Sequence, residues 1–107
     1  MTPRDRDGGA ADSFDRLLEH SLRLTICVLL SRYDRLSFSR LKELTDETDG
    51  NLGANLRKLE DAGYIAVTKE FVDRKPVSWH ELTDEGRRVL EAHLAALGAL
   101  IRQARGS

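Results

Sequence analysis

The first half of the chain shows apolar residues at helical spacing, separated by short polar breaks. Over residues 14–32 the apolar run is too long for one strand and predicts a central helix, buried over much of its circumference. The positions that keep this spacing are Leu18, Leu22, Ile26, Leu29 and Leu30. A shorter helix over residues 38–44 is predicted next, with Ser37 as its N-cap.

A third helix is predicted over residues 48–62. Thr48 can cap its N-terminus, and Asp49 lies in the first turn, where the helix dipole favours a negative charge. Gly63 follows in the position where helices commonly end. The buried stripe of this helix consists of Leu52, Leu56 and Leu59.

A β-hairpin and a last helix complete the pattern. Residues 64–71 and 76–82 are rich in β-forming side chains and flank a polar turn at 72–75. Thr83 then precedes two acidic residues and opens a helix over residues 84–104. This order is that of winged helix-turn-helix proteins. We therefore expect a mainly α (α+β) fold with three helices, a two-stranded β-wing and a long C-terminal helix.

Composition narrows the class of protein. The 107 residues carry a net charge of −1 and suffice for one domain, expected over residues 13–104, after a polar tail at 1–12 that we expect to be disordered. The tail lacks the apolar segment of a secretory signal, and no apolar stretch reaches the roughly 18 residues that span a bilayer. We expect a cytoplasmic protein. A single cysteine, Cys27, excludes an intramolecular disulfide and a multi-cysteine zinc site.

The face of the third helix opposite its leucine stripe carries small and basic residues. Gly50 and Gly53 each cost a helix about 1 kcal/mol relative to alanine, which is understandable where another molecule approaches the backbone closely. A DNA major groove admits one helix and fits this requirement. Asn51 has the donor and acceptor that suit an adenine edge, and Arg57 and Lys58 suit guanine or phosphate. The alternative is a solvated face that merely tolerates glycine.

The hairpin turn adds a second basic feature. Arg74 and Lys75 lie at a protruding tip, where an arginine can reach a minor groove or phosphates. Residues 48–79 as a whole carry five basic and five acidic side chains. We therefore expect modest DNA affinity that is lost quickly with salt.

Several blocks in this part of the chain occur in a specific order. They are Thr48-Asp49-Gly50-Asn51-Leu52, Asn55-Leu56-Arg57-Lys58-Leu59-Glu60, Ala62-Gly63-Tyr64-Ile65 and Leu82-Thr83-Asp84-Glu85-Gly86-Arg87. With them, residues 14–104 resemble the winged-helix transcriptional regulators of the MarR/ArsR superfamily, closest to the short group without a separate effector domain. The sequence departs from that pattern at Glu47, where an apolar residue is usual, and at Gly53 and Asn55, where serine and histidine are common.

The resemblance implies a repressor that binds double-stranded DNA as a homodimer, so that its operator would be an inverted repeat. The helix at about 48–62 would enter the major groove, and the wing tip at about 72–75 would meet the minor groove or the backbone. The expected DNA contacts are Thr48, Gly50, Asn51, Gly53, Ala54, Asn55, Arg57, Lys58, Arg74 and Lys75. The first and last helices would form the dimer interface, and the last one has coiled-coil-like leucine spacing. The residues expected there are Leu18, Leu22, Leu90, Leu94, Leu97 and Ile101.

Other functions are less well supported by the sequence. Cys27 is flanked by aliphatic residues and is expected to be a buried, inert thiol rather than a redox sensor. We expect His80 to pack in the sheet and His93 to lie at the dimer interface rather than to bind a metal. No catalytic arrangement and no cofactor motif is recognised, so we expect no enzyme activity. A winged helix that binds protein instead of DNA is the alternative, and the neutral charge of residues 48–79 favours it.

Overall fold

The computed structural model describes residues 14–106 and contains, in that part of the chain, four α-helices and a three-stranded antiparallel sheet. The elements in order are a 3-10 turn (Leu17–Glu19), α1 (Ser21–Arg32), β1 (Leu36–Ser37), α2 (Phe38–Thr45), α3 (Asp49–Asp61), β2 (Ile65–Val72), β3 (Lys75–Leu82) and α4 (Asp84–Ala104). This is the winged-helix arrangement that the sequence predicted. The tail predicted at residues 1–12 lies outside the described residues.

The first helical segment is interrupted where the sequence predicted one continuous helix. His20 has an extended backbone (φ −82°, ψ 124°) and separates the 3-10 turn from α1. The Asp15 carboxylate accepts hydrogen bonds from the amides of Leu17 at 2.9 Å and Leu18 at 3.2 Å, which holds the turn in place. Leu18 is still only 1% exposed, so apolar spacing continues on both sides of His20. That spacing therefore could not reveal that the helix is interrupted there.

The predicted caps around α2 and α3 are confirmed. The Ser37 hydroxyl accepts a hydrogen bond from the amide of Arg40, and the Thr48 hydroxyl accepts one from the amide of Asn51, both at 3.1 Å. Gly63 follows α3 with φ 84°, the left-handed conformation that favours glycine. These local signals fix the ends of the two helices of the helix-turn-helix unit.

The sheet contains one strand that the sequence did not predict. β1 pairs antiparallel with β3, with Leu36 opposite His80 and Ser37 opposite Trp79. The predicted two-stranded wing, β2 and β3, is confirmed, and β1 extends it to a three-stranded sheet in the order β1-β3-β2. Two residues are too few to show alternation, and their partner strand lies far away in the sequence.

β2 and β3 form the wing, paired along all eight residues of each strand. Asp73 and Arg74 connect them with φ values of 52° and 68°. Two consecutive left-handed residues are typical of the tight hairpin turn whose twist matches the flanking strands. The turn thus holds the wing tip in a defined conformation.

The core lies between α1, α2, α3, the base of the sheet and the first half of α4. Its least exposed aliphatic side chains are Leu18, Ile26, Leu30, Leu41, Leu52 and Leu59. Thr83 joins α4 to this core, because its hydroxyl accepts a hydrogen bond from the amide of Gly86 at 2.9 Å and donates one to the carbonyl of Gly63 at 2.6 Å. No helix within residues 14–106 combines the length and hydropathy needed to cross a bilayer.

Candidate nucleic-acid interface

The turn between α2 and α3 is held by backbone and charge contacts. Asp46 ends α2 in the left-handed conformation (φ 56°), and its amide donates to the carbonyl of Lys42 at 2.8 Å. The Lys42 ammonium also lies 2.9 Å from a carboxylate oxygen of Asp49 in the first turn of α3. These contacts fix the direction in which α3 leaves the turn.

α3 has one buried and one exposed face, as its sequence predicted. Leu52, Leu56 and Leu59 are 0–4% exposed and pack into the core. Gly53, near the edge of this face, is partly buried. The exposed candidate contacts on this helix and its cap are Thr48, Gly50, Asn51, Ala54, Arg57 and Lys58.

The glycines of α3 are not required by the packing of the domain. A Cβ atom built on Gly50 or on Gly53 would meet no atom within 4 Å beyond the neighbouring backbone of its own helix. Gly86 in α4 is different, because a Cβ there would collide with the backbone carbonyl of Tyr64. The small residues of α3 therefore leave open space along its backbone, as close approach by another molecule would require.

Asn55 does not fit the prediction that it contacts DNA. Its side chain is 5% exposed and lies beside the leucine stripe. The Asn55 carbonyl oxygen accepts a hydrogen bond from Nη1 of Arg23 in α1 at 2.7 Å, and its Nδ2 donates to the backbone carbonyl of Asn51 at 2.9 Å. A polar side chain whose partners lie inside the domain turns inward, so we correct its placement from the surface to the interior.

Sequence reasoning also missed the role of Glu47. This side chain stands where an apolar residue was expected, and it is partly buried. One of its carboxylate oxygens accepts a hydrogen bond from Nδ2 of Asn51 at 2.6 Å. Glu47 therefore contacts a candidate base-reading residue directly.

The wing tip carries two exposed basic side chains, Arg74 and Lys75. Within residues 14–106 neither of them forms an ion pair, and the same is true of Arg57 and Lys58 on α3. Other basic residues of the domain are paired with carboxylates: Arg35 with Glu70, Arg40 with Glu43, Lys42 with Asp49 and Arg88 with Glu85. The basic side chains of α3 and of the wing tip are thus among those that no carboxylate within residues 14–106 pairs with.

Comparisons with known proteins agree with this geometry. The signature of the winged helix DNA-binding domain family matches residues 22–101. The chain belongs to this family. It is 31% identical over 72 residues to the uncharacterized protein MJ0432 of Methanocaldococcus jannaschii, covering 67% of this chain and 78% of that protein. The winged-helix family and fold that the sequence resemblance implied are thereby confirmed.

Two solved structures show how far the similarity of this winged helix domain extends. A transcriptional regulator homologue from Pyrococcus horikoshii OT3 superposes with a TM-score of 0.78 at 32% identity, over 82% of this chain and 87% of that one. A mutant MarR protein from E. coli superposes with a TM-score of 0.71 at 17% identity, over 82% of this chain and 67% of that one. At the lower identity the likeness is one of fold alone.

The middle of the wing contains contacts that no sequence pattern indicated. The Arg35 guanidinium carbon lies 4.1 Å from the ring centre of Trp79, and Nη1 of Arg35 lies 3.2 Å from a carboxylate oxygen of Glu70. These contacts tie the segment before β1 to both wing strands. Near the tip, Phe71 is 77% exposed, which its β-forming character alone did not predict.

Several residues predicted at the dimer interface are buried within the single chain of the winged helix domain. Leu18, Leu22 and Leu90 are 1–8% exposed within a single chain and belong to its own core. His93, predicted at the dimer interface, is 2% exposed, and its Nδ1 accepts a hydrogen bond from the amide of Asp15 at 2.9 Å. Within the single chain these side chains already pack against the domain itself.

The remaining predicted interface residues lie on α4 and are accessible. Leu94 and Ile101 are 42% and 53% exposed, and Leu97 is partly buried. Leu100, which is 50% exposed, extends the same apolar surface. A groove of about 310 Å³ adjoins it, lined by Phe14, Leu18, Glu19, Leu24, His93 and Leu97.

The single cysteine and the buried histidine of the sheet are placed as predicted. Cys27 is 0% exposed, and burial, together with the nearby Asp15 carboxylate, raises the pKa of its thiol to about 12. Such a thiol carries little thiolate at neutral pH. His80 is 4% exposed in β3, and burial lowers its pKa. Among residues 14–106 no group of three or more His, Cys, Asp or Glu side chains is arranged to hold a metal ion.

Proposed function

We propose that this winged helix domain is a sequence-specific DNA-binding transcriptional regulator that represses from an inverted-repeat operator as a homodimer. The observation that carries the proposal is the outward face of α3. It combines open space over Gly50 and Gly53 with the basic side chains of Arg57 and Lys58, which form no ion pair within the described residues. The similarity to a transcriptional regulator homologue supports the regulatory role.

In the proposed complex α3 lies in the major groove. Asn51 faces an adenine edge, and Arg57 and Lys58 contact guanine or phosphate, while Thr48, Gly50, Gly53 and Ala54 allow the helix backbone to approach. The wing tip places Arg74 and Lys75 over the minor groove or its phosphates. Asn55 is left out of the contact set because it is buried.

The proposed dimer forms through the apolar surface of α4. Leu94 and Ile101 are exposed in the single chain and lie on the same side of the helix, with Leu97 between them. A second copy related by a two-fold axis would cover this surface with the same residues. Two copies would present two recognition helices to half-sites about 10 base pairs apart, which an inverted repeat supplies. The sign of regulation, repression, is taken from the resemblance to the MarR/ArsR superfamily.

A protein-binding winged helix is the second candidate function. The equal numbers of acidic and basic side chains over residues 48–79 favour it, because a DNA-binding surface is usually strongly basic. The two candidates differ in their dependence on the unpaired basic residues of α3. Only the DNA-binding function requires Arg57 and Lys58.

The experiment that tests the proposal is selection of DNA fragments by the purified full chain, followed by sequencing of the retained fragments. The expected result is an enriched inverted repeat that also shifts in a gel at moderate salt. Enrichment of one asymmetric half-site would contradict the dimer geometry. Retention of no sequence above background would refute the DNA-binding function and favour the protein-binding alternative.

A further inference from the structure

Four side chains form a continuous chain of hydrogen bonds from α1 to the turn before α3. Nη1 of Arg23 donates to Oδ1 of Asn55 at 2.7 Å, and Nδ2 of Asn55 donates to Oδ1 of Asn51 at 3.2 Å. Nδ2 of Asn51 then donates to a carboxylate oxygen of Glu47 at 2.6 Å. At the other end, Nε of Arg23 donates to the backbone carbonyl of Leu17 at 2.7 Å. From Arg23 to Glu47, every side-chain donor points toward Glu47.

The two charged ends leave only one orientation for both amides. A guanidinium has donors and no acceptor, so Asn55 must turn its oxygen toward Arg23 and its NH₂ group toward Asn51. A carboxylate has acceptors only, so Asn51 must turn its NH₂ group toward Glu47 and its oxygen toward Asn55. A flipped amide at either position would set two donors or two acceptors against each other.

The fixed orientation still leaves Asn51 able to read a base. A side-chain amide offers two donors and two acceptor lone pairs, and the chain uses one of each. One donor and one acceptor are left on an exposed side chain of α3, which is the pair that recognises an adenine edge.

We propose that Arg23 and Asn55 are positioning residues that orient the Asn51 amide for adenine, with Glu47 as the last acceptor of the chain. The proposal rests on the proposed DNA-binding function and makes Asn51 the residue that determines specificity at one base pair. Neither positioning residue needs to touch DNA, because both act through Asn51. Burial of Asn55 protects its hydrogen bonds from competition by water, which makes the orientation persistent before DNA arrives.

Glu47 has two opposing effects in this arrangement. Its carboxylate fixes Asn51 through a charge-assisted hydrogen bond, which favours discrimination between bases. Its negative charge at the same place repels DNA phosphates and lowers the affinity for every sequence. Glu47 thus favours discrimination between bases over affinity for DNA.

The first test uses Asn55→Asp, which keeps the size of the side chain and its acceptor for Arg23 but removes the donor to Asn51. Its added charge is paired with the adjacent guanidinium. Asn55→Ala is the second variant, which removes the donor without adding charge. In both variants we expect the Asn51 side-chain NH₂ resonances of the free protein to move away from their positions in the unaltered protein, because Asn51 loses the donor to its oxygen. In the unaltered protein they are expected to be shifted and protected from exchange, and Asn51→Ala identifies them by their loss.

The second test measures binding to the selected operator and to operators altered at single base pairs. Asn51→Ala identifies the base pair at which discrimination depends on Asn51. At that base pair we expect Asn55→Asp and Asn55→Ala to lose discrimination by about tenfold, the contribution of one bidentate base contact. Discrimination at base pairs that depend on Arg57 is expected to stay unchanged.

Glu47→Gln and Glu43→Gln separate the charge-assisted, acceptor-only contact with Asn51 from the general effect of a negative charge. Both variants remove one negative charge near α3, but Glu43 contacts Arg40 rather than Asn51. We expect both to raise affinity for all sequences, and only Glu47→Gln to reduce discrimination at the Asn51-dependent base pair. Equal discrimination in the two variants would overturn the role of Glu47.

The outcomes separate this proposal from the proposed function. If the unaltered protein binds the operator and both Asn55 variants discriminate as it does, the positioning role is overturned while DNA binding stands. Asn51 resonances of a solvated amide in the unaltered protein would overturn it as well. If the unaltered protein binds no DNA, the proposed function fails and the specificity role fails with it, even where the resonances confirm the hydrogen-bond chain.

Discussion

Arg57 and Arg74 are basic residues of different elements and should contribute differently to binding. Arg57 lies on the exposed face of α3, and Arg74 lies at the wing tip. Arg57→Ala is expected to weaken operator binding by about 1–3 kcal/mol and to relax the preference at one position, because base-edge contacts carry sequence information. Arg74→Ala is expected to weaken binding to all sequences alike and to lower the salt dependence.

Titrations against the operator and against a scrambled duplex at several salt concentrations measure both effects. Arg88→Ala is the matched control, because Arg88 pairs with Glu85 at the start of α4. Unchanged affinity in both the Arg57 and the Arg74 variant, with folding intact, would refute DNA binding through α3 and the wing.

The burial of His80 predicts that the stability of the domain depends on pH. Burial lowers its pKa from the ordinary 6.5, and the Nδ1 atom is buried without a hydrogen-bond partner among the described residues. The unfolded chain therefore binds a proton at a higher pH than the folded one. His80 lowers the free energy of unfolding least above pH 6.5, where it is neutral in both states. The free energy of unfolding falls as the pH drops from 6.5 through the lower pKa of the folded state.

We expect the free energy of unfolding of the unaltered protein, measured with urea, to fall between pH 7 and pH 5. His80→Gln should flatten this profile, since glutamine does not titrate. His20→Gln is the control because His20 is exposed. An equal slope in the His80 variant and the unaltered protein would show that another group causes the pH dependence.

At the scale of the element, glycines in two helices test two different roles of a small residue. One role is to allow close packing inside the domain, and the other is to allow another molecule to approach the helix backbone. Gly53→Ala in α3 adds a Cβ in open space and should stabilise the domain by about 0.5–1 kcal/mol. Gly86→Ala in α4 sets a Cβ against the Tyr64 carbonyl and should destabilise it by about 1–3 kcal/mol. The proposed function further requires Gly53→Ala to weaken operator binding in spite of the added stability.

Urea denaturation of both variants and operator titration of Gly53→Ala provide the measurements. A Gly53→Ala protein that is more stable and binds DNA as before would show that nothing approaches the helix backbone at this position. A Gly86→Ala protein of unchanged stability would mean that α4 can shift away from Tyr64 at little cost.

The ends of the helices, the short strand β1 and the break at His20 show which features of the fold could be predicted from the sequence. Helix ends were predictable because capping depends on neighbours in the chain: Thr48 and Thr83 bond to amides three residues onward. β1 was not predictable, because two residues become a strand only through β3. The break at His20 was missed for a related reason, since the apolar spacing continues through Leu18 and Leu22.

In the candidate site, too, contacts between residues distant in the sequence could not be predicted. The buried stripe and the exposed small and basic residues of α3 follow from helical periodicity alone. Asn55 was misplaced because its polarity indicated the surface, whereas Arg23, distant in the sequence, supplies a partner inside. Glu47 could not be interpreted until its contact with Asn51 was visible. Polar side chains are thus harder to place than apolar ones, because their partners decide whether they can be buried.

At the scale of the whole molecule, α4 changes its surroundings along its length. Leu90, His93 and Ala96 are buried against the rest of the chain. Leu94, Leu100 and Ile101 are 42–53% exposed. The family resemblance and the leucine spacing assigned Leu90 and Leu94 to one dimer interface, but the single chain already buries Leu90. The two leucines therefore provide a matched pair that separates folding from assembly.

Leu94→Glu is expected to yield a folded monomer, whereas Leu90→Glu is expected to unfold the chain. In a two-fold dimer the Leu94 variant would bring two carboxylates together, and an unpaired buried charge costs several kcal/mol. The folded monomer should then lose operator binding, because linked half-site contacts reinforce each other. At Leu90 the same charge would enter the core, because the Leu90 side chain is only 2% exposed. Sedimentation and circular dichroism distinguish the two effects. A Leu94→Glu protein that is dimeric and binds the operator normally would place the dimer interface elsewhere.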